Sequence, residues 1–323
     1  MAFGLSRPAT GLIVAEPFTQ PDARIRFVID FARAYAGAVT LLIPSKPADP
    51  LAVNERAAWL RRQFPDIELV EGIAPAARAD AGMVECVIDA LGDRQFDLLF
   101  TAGAIDEASA ARIRARSIPC FPDAALQYGS SLRGRDADTA TPQQPLLRVC
   151  LFGPESTGKT TLASQLAQHF HSAYAADYVR AYLDALGSTG TADDVPWIAR
   201  GQLATDSAAA AQAGRVLVTD TSLASTALWS DVLYGTTPQW IHEQAQRQRY
   251  DLWLLTDIDI SFEPDPLRCF PGAAQRQWFM EECRRTLARL GVEAVLLRGD
   301  VPQRLGHALA AIGRLLMPRA AAG

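Results

Sequence analysis

The stretch that decides the fold lies at residues 153–160 and reads Gly153-Pro154-Glu155-Ser156-Thr157-Gly158-Lys159-Thr160. It follows the apolar run at residues 146–152, which is typical of a buried strand. It opens a helical pattern with Leu162, Leu166 and Phe170 on one face. A strand, a loop of the form G-x-x-x-x-G-K-T and a helix together predict a phosphate-binding loop. The alternative is a glycine turn without a ligand, which the flanking strand and helix disfavour.

Each part of this loop has a physical role in holding a phosphate. Glycines let backbone N–H groups converge on phosphate oxygens, and the helix N-terminus adds a partial positive charge. We expect Lys159 to reach the β- and γ-phosphates and the Thr160 hydroxyl to hold Mg²⁺. The sequence therefore predicts an ATP site that is formed by the following residues: Gly153, Glu155, Ser156, Thr157, Gly158, Lys159, Thr160 and Thr161.

Acidic residues that follow two later apolar runs are candidates for chemistry beside the phosphate. Asp220 ends the run at residues 215–219, at the edge where open parallel sheets bind ligands, and we expect it to contact Mg²⁺ directly or through water. The alternative is an N-cap for the next helix. Asp177 follows the short run at residues 172–176 and is a candidate to accept the proton of a substrate hydroxyl. The alternative is a surface ion pair with Arg180, which is otherwise a candidate to contact a phosphate.

An acidic segment at residues 257–268 follows a predicted strand and ends in Arg268, and Arg276 stands at the start of the next predicted helix. Mobile arginines can cover a transferring phosphate and exclude water. Arg268 and Arg276 are therefore candidates to stabilise the transferring phosphoryl group. A solvated loop is the alternative for most of the charges in this segment.

Composition excludes several other functions. The chain has 323 residues, of which 49% are hydrophobic and 21% charged, and its net charge of −5 gives no indication of binding to nucleic acid or to an anionic membrane.

The five cysteines form no CxxC pair and the four histidines form no metal-binding pattern. Scattered cysteines without a signal peptide favour the cytoplasm, and no apolar stretch approaches the roughly 18–20 residues of a membrane helix. No pattern indicates an oligomeric state. Four tryptophans are expected in the core rather than as platforms for bases: Trp197, Trp229, Trp240 and Trp253.

Both halves of the chain alternate strands and helices, which predicts an α/β protein with two doubly wound parallel sheets. Residues 129–145 are rich in Gly, Ser, Asp, Thr, Gln and Pro and predict a linker between a first domain at residues 1–128 and a second at residues 146–323. The predicted helices include residues 22–36, 54–64 with Asn54 as N-cap, 80–91, 106–116, and 192–213 with Thr191 as N-cap.

Six segments of the second half carry a resemblance to a known family. They are G-P-E-S-T-G-K-T-T-L-A (153–163), D-Y-V-R-A-Y-L (177–183), D-T-S (220–222), W-S-D-V-L-Y-G (229–235), Y-D-L-W-L-L (250–255) and D-I-S-F-E-P-D-P-L-R (259–268). The chain resembles the NadR-like family of bifunctional nicotinamide-nucleotide adenylyltransferases and ribosylnicotinamide kinases, whose second domain is a P-loop kinase or AAA-type ATPase domain. The resemblance implies an ATP- and Mg²⁺-dependent kinase of NAD metabolism that phosphorylates the 5′-hydroxyl of nicotinamide riboside.

The last of these segments departs from the family pattern. The family usually has D-x-P-W-x-x-D-G-x-R, and here Ser261, Phe262 and Pro266 replace the proline, tryptophan and glycine. Asp259, Asp265 and Arg268 are retained, and the resemblance implies that Asp259 and Arg268 lie near substrate or nucleotide. The three replacements are expected to reshape the nucleoside pocket.

The first half resembles the nucleotidyltransferase domain of the same family without its catalytic residues. The framework matches at residues 11–15, 54–60 and 64–70. The family's G-x-F-x-P-x-H-x-G-H, whose histidines bind the triphosphate, is replaced by A-E-P-F-T-Q-P-D-A-R at residues 15–24. Pro21 and Arg24 stand in place of the two histidines, and Glu16 adds a negative charge. The family's I-S-x-T-x-x-R signature is also absent before Leu146. Each lost donor costs about 10²–10³ in rate, so a silent nucleotidyltransferase-like Rossmann-type domain is expected.

The leading hypothesis is thus a small-molecule kinase with a nucleoside acceptor. A second is an ATP-binding regulatory switch, or a slow ATPase, with no small-molecule acceptor. A functioning adenylyltransferase ranks third. A DNA-binding role is not expected, because only ten residues precede Gly11.

Overall fold

The computed structural model describes residues 9–14, 23–45, 53–73, 90–101, 111, 113–126 and 145–317. The chain divides into two compact units, Met1–Asp123 and Ala124–Gly323. Apart from Pro145, the predicted linker lies outside the described residues, as do most of the helices predicted at residues 80–91 and 106–116. Among the described residues, no helix combines the length and apolarity needed to cross a membrane.

The first unit is built on a five-stranded parallel sheet of strand order β3-β2-β1-β4-β5, the order of a Rossmann-type fold. Its described elements are β1 (Thr10–Val14), α1 (Ala23–Tyr35), β2 (Ala38–Ser45), α2 (Val53–Gln63), β3 (Glu68–Ile73), β4 (Leu98–Thr101) and β5 (Arg116–Pro119). A short helix, α3 (Pro122–Leu126), follows. The face of α1 predicted from helical spacing is buried as expected at Ile25, Val28, Ile29 and Ala32.

Two local predictions in this unit were wrong. Asn54 lies inside the first turn of α2 and is not its N-cap. Arg116 was predicted to end a helix, but it begins β5, where its position pairs with Leu98 of β4.

The second unit also has a five-stranded parallel sheet, of order β10-β9-β6-β8-β7. Its strands are β6 (Leu147–Phe152), β7 (Tyr174–Ala175), β8 (Val216–Thr219), β9 (Leu252–Thr256) and β10 (Ala294–Leu297). Its helices are α4 (Lys159–His169), α5 (Tyr178–Leu186), α6 (Val195–Gln212), α7 (Leu223–Tyr234), α8 (Gln239–Arg247), α9 (Ala273–Leu290) and α10 (Val301–Leu316).

Helices cover both faces of this second sheet. Alternate residues of β6 enter different cores, because successive side chains of a strand point to opposite faces. Val149 and Leu151 pack in a core with residues of α4 and α10. Cys150 and Phe152 pack in a second core with residues of α6, α7 and α9. The chain leaves the centre of the sheet at the end of β6, between β8 and β9, where doubly wound sheets bind ligands.

The helix predicted at residues 192–213 is divided at its N-terminus. Thr191 forms a capping box with Asp194 around a 3₁₀ turn at Ala192–Asp194, and α6 begins only at Val195. Pro196 suits this first turn of α6, because a helix leaves its first N–H groups unbonded.

Candidate functional site

The loop between β6 and α4 has a backbone that only glycine tolerates at its first position. Gly153 has φ +138°, and a Cβ there would lie 2.6 Å from Thr256 Oγ1 and 2.8 Å from Thr256 O. Gly158 adopts φ +76° at the N-cap of α4, in the left-handed region. Residues 153–158, the phosphate loop, therefore curl against the end of β9, as the glycine spacing predicted.

Side chains of Thr157 and Lys159 donate hydrogen bonds to backbone carbonyls of this loop. The Thr157 hydroxyl donates to Pro154 O at 2.7 Å and lies 2.7 Å from Thr256 Oγ1. Lys159 Nζ donates to Gly153 O at 3.0 Å and to Pro154 O at 2.6 Å. Burial lowers the pKa of Lys159, and nearby carboxylates, Asp220 first, oppose that shift. Lys159 thus bonds to carbonyls of its own loop, and its contact with a phosphate stays a prediction.

Thr160 and Asp220, which the sequence analysis assigns to Mg²⁺, are in direct contact. The Thr160 hydroxyl donates to Asp220 Oδ2 at 2.7 Å, while Oδ1 of the same carboxylate is buried without a hydrogen-bond partner. Burial, and next the nearby carboxyl of Asp177, raise the pKa of Asp220 to about 7. The alternative of an N-cap fails, because Ser222 is the N-cap of α7.

These residues fit a magnesium ion. Mg²⁺ takes oxygen ligands, keeps several waters, and is usually bound by one or two carboxylates together with substrate phosphates. The buried, unpartnered oxygen of Asp220 and the adjacent hydroxyl of Thr160 supply such ligands. The described residues contain no group of three or more His, Cys, Asp or Glu that could hold a metal alone.

Asp177 is the N-cap of α5 and lines a cavity that Lys159 and Asp220 also line. Its carboxylate accepts the N–H of Val179 at 3.1 Å. Burial raises the pKa of Asp177, and Lys159 opposes the shift. Arg180 pairs with Asp265 rather than with Asp177, through two hydrogen bonds of 3.0 and 3.1 Å, and it lines the same cavity, so its contact with a phosphate stays a prediction.

A cavity of about 510 Å³ joins the phosphate loop to an apolar wall. Its charged and hydroxyl-bearing lining includes Lys159, Thr160, Asp177, Asp220, Thr221 and Arg268. Its apolar and aromatic lining includes Val195, Ile198, Trp229, Leu233, Tyr234 and Leu267. One cavity therefore offers both a phosphate site and an apolar surface for a second molecule.

Trp229 has a role that the sequence interpretation missed. It packs on the core as expected, with its ring 4.2 Å from that of Phe279 and parallel to that of Phe270 at 5.5 Å. It also lines the cavity, so it is a wall of the site as well as a core residue. Only the W-S-D-V-L-Y-G segment of the resemblance pointed to this position.

The segment between β9 and α9, residues 257–272, is bonded to the phosphate loop by side chains of that loop. Ser156 Oγ accepts the N–H of Glu263 at 2.8 Å and Nη1 of Arg268 at 3.1 Å. Glu155 accepts the N–H groups of Cys269 and Phe270, at 2.9 and 2.6 Å. Glu155 and Ser156, predicted to contact the nucleotide, thus hold this segment against the loop. We call residues 257–272 the covering loop.

Arg276 does not line the cavity. It donates to Ile260 O at 3.0 Å and to Ser156 O at 3.4 Å, so it joins the covering loop to the phosphate loop. Phe262 lies between two arginines, with the guanidinium carbons of Arg268 and Arg276 at 5.9 and 5.8 Å from its ring centre. Of the two predicted arginines, only Arg268 reaches the cavity.

Asp259 does not line the cavity, and its side chain bonds to groups that support the phosphate loop. Its carboxylate accepts from Arg304 and from the N–H of Gly299, the latter at 2.7 Å. Arg304, which is 2% exposed, also donates to Thr157 O at 2.6 Å and to Asp257 O at 3.0 Å. The sequence interpretation did not single out Arg304, which stabilises the phosphate loop through its hydrogen bond to Thr157 O.

The fold and the site define the second unit as a P-loop nucleotide-binding domain. In agreement, residues 148–304 match the family model described as an AAA domain. The search of curated proteins gives no match.

Solved structures of NadR, the family indicated by the sequence motifs, are similar to the whole chain. The structure of NadR protein in complex with NAD and AMP-PNP is 18% identical, with 95% of this chain and 96% of that chain covered and a TM-score of 0.42. The structure of NadR protein in complex with NR is 18% identical, with 96% of each chain covered and a TM-score of 0.43. Shikimate kinase from Acinetobacter baumannii, in complex with shikimate, is 17% identical over 53% of this chain and 93% of that chain, with a TM-score of 0.29.

Proposed function

We propose that this protein is an ATP-dependent small-molecule kinase whose acceptor is a nucleoside. The observation that carries the proposal is the single cavity in which Lys159, Thr160 and Asp220 face the same space as Asp177 and an aromatic wall. A switch that only binds ATP has no need of a second, apolar compartment beside the phosphates. The acceptor implied by the sequence motifs is nicotinamide riboside, with phosphorylation at its 5′-hydroxyl.

Different residues of the cavity would bind the phosphates, hold Mg²⁺ and stabilise the transferring group. Lys159 and the loop N–H groups hold the β- and γ-phosphates, and Thr160 and Asp220 would hold Mg²⁺. Mg²⁺, when bound, neutralises phosphate charge as it develops in the transition state. Arg268 reaches the cavity from the covering loop and is placed to stabilise the transferring group, whereas Arg276 acts by fixing Ile260 and Ser156.

Asp177 is the proposed acceptor of the hydroxyl proton. The acceptor oxygen forms a bond to the γ-phosphorus, the bond from that phosphorus to the bridging oxygen of ADP breaks, and the hydroxyl proton moves to Asp177. Burial raises the pKa of this carboxyl, which makes it a better base than an exposed aspartate. Its hydrogen bond from Val179 N fixes its orientation at the start of α5.

The aromatic and apolar wall is the proposed site for the base of the nucleoside. Phe270 and Phe279 hold the indole of Trp229 from the core side. A rigid flat side chain in an otherwise apolar cavity suits a planar heteroaromatic ring, since aromatic rings gain from stacked or edge contacts beyond the area they bury.

We propose in addition that the first unit is inactive as an adenylyltransferase. Arg24, which stands in place of a family histidine, forms an ion pair with Asp123 at 2.9 Å. Glu16 and Pro21 lie outside the described residues, so this proposal depends on the sequence there. The cysteines of the described residues, Cys120, Cys150, Cys269 and Cys283, are free, which supports a cytoplasmic site of action.

Replacement of Lys159 tests the kinase proposal. The full chain is incubated with ATP, Mg²⁺ and nicotinamide riboside, and the phosphorylated nucleoside is quantified by mass spectrometry. Lys159→Met should abolish transfer without changing the circular dichroism spectrum, because Lys159 Nζ bonds to carbonyls of its own loop and the side chain belongs to neither core of the second unit. Arg285→Ala, which removes an exposed ion pair with Glu282 on α9, is the control and should keep full activity. Equal activity of Lys159→Met and the wild-type protein would exclude the mechanism.

The same Lys159→Met protein tests the silent first unit, since its kinase site is disabled. It is incubated with ATP, Mg²⁺ and nicotinamide mononucleotide, and pyrophosphate is measured. We expect no release above the rate without enzyme. Pyrophosphate release at an ordinary enzymatic rate would show that the first unit is catalytic.

A further inference from the structure

Arg180 and Asp265 form an ion pair that joins α5 to the covering loop. Two parallel hydrogen bonds of 3.0 and 3.1 Å connect the guanidinium and the carboxylate, a geometry that fixes both groups in one plane. The two residues are separated by 85 positions in the sequence. The function proposed above gives Arg180 no part in the chemistry.

Asp265 also shapes the turn that carries Arg268. Its Oδ1 accepts the N–H of Leu267 at 2.9 Å, and its backbone carbonyl accepts the N–H of Arg268 at 3.0 Å. The position of Arg268 in space therefore follows from the position of Asp265. Arg180 in turn fixes Asp265, and it holds the pKa of that carboxyl below its usual value.

Arg268 is held at its other end by the phosphate loop. Its Nη1 donates to Ser156 Oγ at 3.1 Å, and the next two residues, Cys269 and Phe270, donate their N–H groups to Glu155. The covering loop thus has one attachment on α5, three residues after Asp177, and another on the phosphate loop. Arg268 lies between the two attachments and lines the cavity.

We propose that Arg180 is a positioning residue that acts through Asp265 to hold Arg268 over the transferring phosphoryl group. The inference rests on the proposed kinase function and extends it. A contact between Arg180 and a phosphate is not needed, because the two guanidinium nitrogens already bond to Asp265. Loss of the pair should misplace Arg268 and slow transfer, while Lys159 and the loop N–H groups still bind ATP.

A mutant cycle on kcat tests whether Arg180 acts through Arg268. Arg180→Ala should lower kcat by about tenfold or more and change the KM for ATP by less than about threefold, since a small misplacement of a catalytic group costs rate rather than binding. In the Arg268→Ala background, Arg180→Ala should have little further effect. The conservative variant Arg180→Lys, which keeps a charged donor to Asp265 and leaves the bond from Leu267 N–H intact, should retain part of the rate. An equal loss of kcat in both backgrounds would overturn the proposal.

Proteolysis tests the attachment without relying on catalysis. Trypsin cleaves after arginine, and the bond between Arg268 and Cys269 is protected by the bonds of Glu155 and by the turn at Asp265. Arg180→Ala and Asp265→Ala should each speed this cleavage by about tenfold, because local opening sets the rate of cutting. Arg180→Lys, which keeps a charged donor to Asp265, should retain part of the protection, and Arg285→Ala on α9 should leave it unchanged. Unchanged cleavage in Arg180→Ala would refute the attachment.

The two readouts separate this proposal from the kinase proposal. If the wild-type protein transfers no phosphate to any nucleoside but Arg180→Ala still exposes the 268–269 bond, the attachment stands and the kinase proposal fails. If transfer is observed and kcat is unchanged in Arg180→Ala, the kinase proposal stands and the positioning role of Arg180 fails.

Discussion

The Thr160 hydroxyl donates a 2.7 Å hydrogen bond to one carboxylate oxygen of Asp220, and the other oxygen of that carboxylate is buried without a partner. An unpartnered buried oxygen is costly, and such groups often mark the site of an ion or ligand. The proposed kinase function places Mg²⁺ at this pair.

Asp220→Asn tests that pair. The variant keeps the shape and removes the charge, so we expect phosphoryl transfer to fall about 100-fold or more, as for loss of other groups that stabilise transition-state charge. Thr160→Val should behave similarly, whereas Thr160→Ser keeps the hydroxyl and should keep most of the activity. The measurement is the rate of nucleoside phosphorylation as a function of Mg²⁺ concentration. An Asp220→Asn protein with the wild-type Mg²⁺ dependence would exclude the assignment.

The raised pKa of Asp220, about 7, predicts a pH dependence of Mg²⁺ binding. Below that pH the carboxyl holds a proton that the cation must displace, so apparent Mg²⁺ affinity should fall about tenfold per pH unit. Above pH 7 the dependence should level off. Titration of ATP-supported Mg²⁺ binding by calorimetry at pH 6 and pH 8 measures the difference, and Asp220→Asn should abolish it. Affinity that stays constant across this range would contradict the predicted coupling.

Gly153→Ala should damage the phosphate loop. The new Cβ would lie 2.6 Å from Thr256 Oγ1 at a φ of +138°, so the loop must move away from β9. Gly291, which ends α9, also has a positive φ of +67° but has no heavy atom within 4 Å of an added Cβ. Gly291→Ala is therefore the matched control for backbone strain alone, which costs about 1–2 kcal/mol. We expect ATP affinity, measured by equilibrium binding, to collapse in Gly153→Ala and to be unchanged in the control. Comparable ATP affinity in both variants would show that the close approach to Thr256 is unimportant.

Arg304→Ala should destabilise the second unit by about 3 kcal/mol, because it leaves the carbonyls of Thr157 and Asp257 buried without their donors. Arg298→Ala is the matched control, since Arg298 also pairs with Asp257 but its side chain is 65% exposed. An exposed pair contributes at most about 1 kcal/mol. Urea unfolding of the two variants measures the contrast. Equal losses would mean that burial does not set the contribution of Arg304.

The phosphate loop and the contact between Thr160 and Asp220 were predictable because their signals are local. The spacing of Gly153, Gly158, Lys159 and Thr160 belongs to one strand, turn and helix, and Asp220 ends a short apolar strand. Parallel strands bring their carboxyl ends to one edge of the sheet. The sequence alone therefore indicates that Thr160, which follows β6, lies near Asp220, which follows β8.

Other contacts of the site were not predictable, since they join distant positions without a local pattern. Arg304 reaches Thr157 across 147 positions, and Glu155 reaches Phe270 across 115. Glu155 and Ser156 read as phosphate-loop residues, yet their side chains bind the covering loop. Asp259 is retained from the family pattern, which indicated a position near substrate or nucleotide. The pattern did not indicate that its carboxylate accepts a hydrogen bond from the buried Arg304.

One measurement tests the central claim most directly. The full chain is incubated with ATP, Mg²⁺ and a panel of nucleosides that includes nicotinamide riboside, and ATP consumed is compared with phosphorylated nucleoside formed, each identified by mass. We predict one phosphorylated nucleoside per ATP consumed, with nicotinamide riboside the preferred acceptor. ATP hydrolysis at the same rate with and without every nucleoside, and no phosphorylated product, would contradict the kinase account and favour an ATP-binding switch.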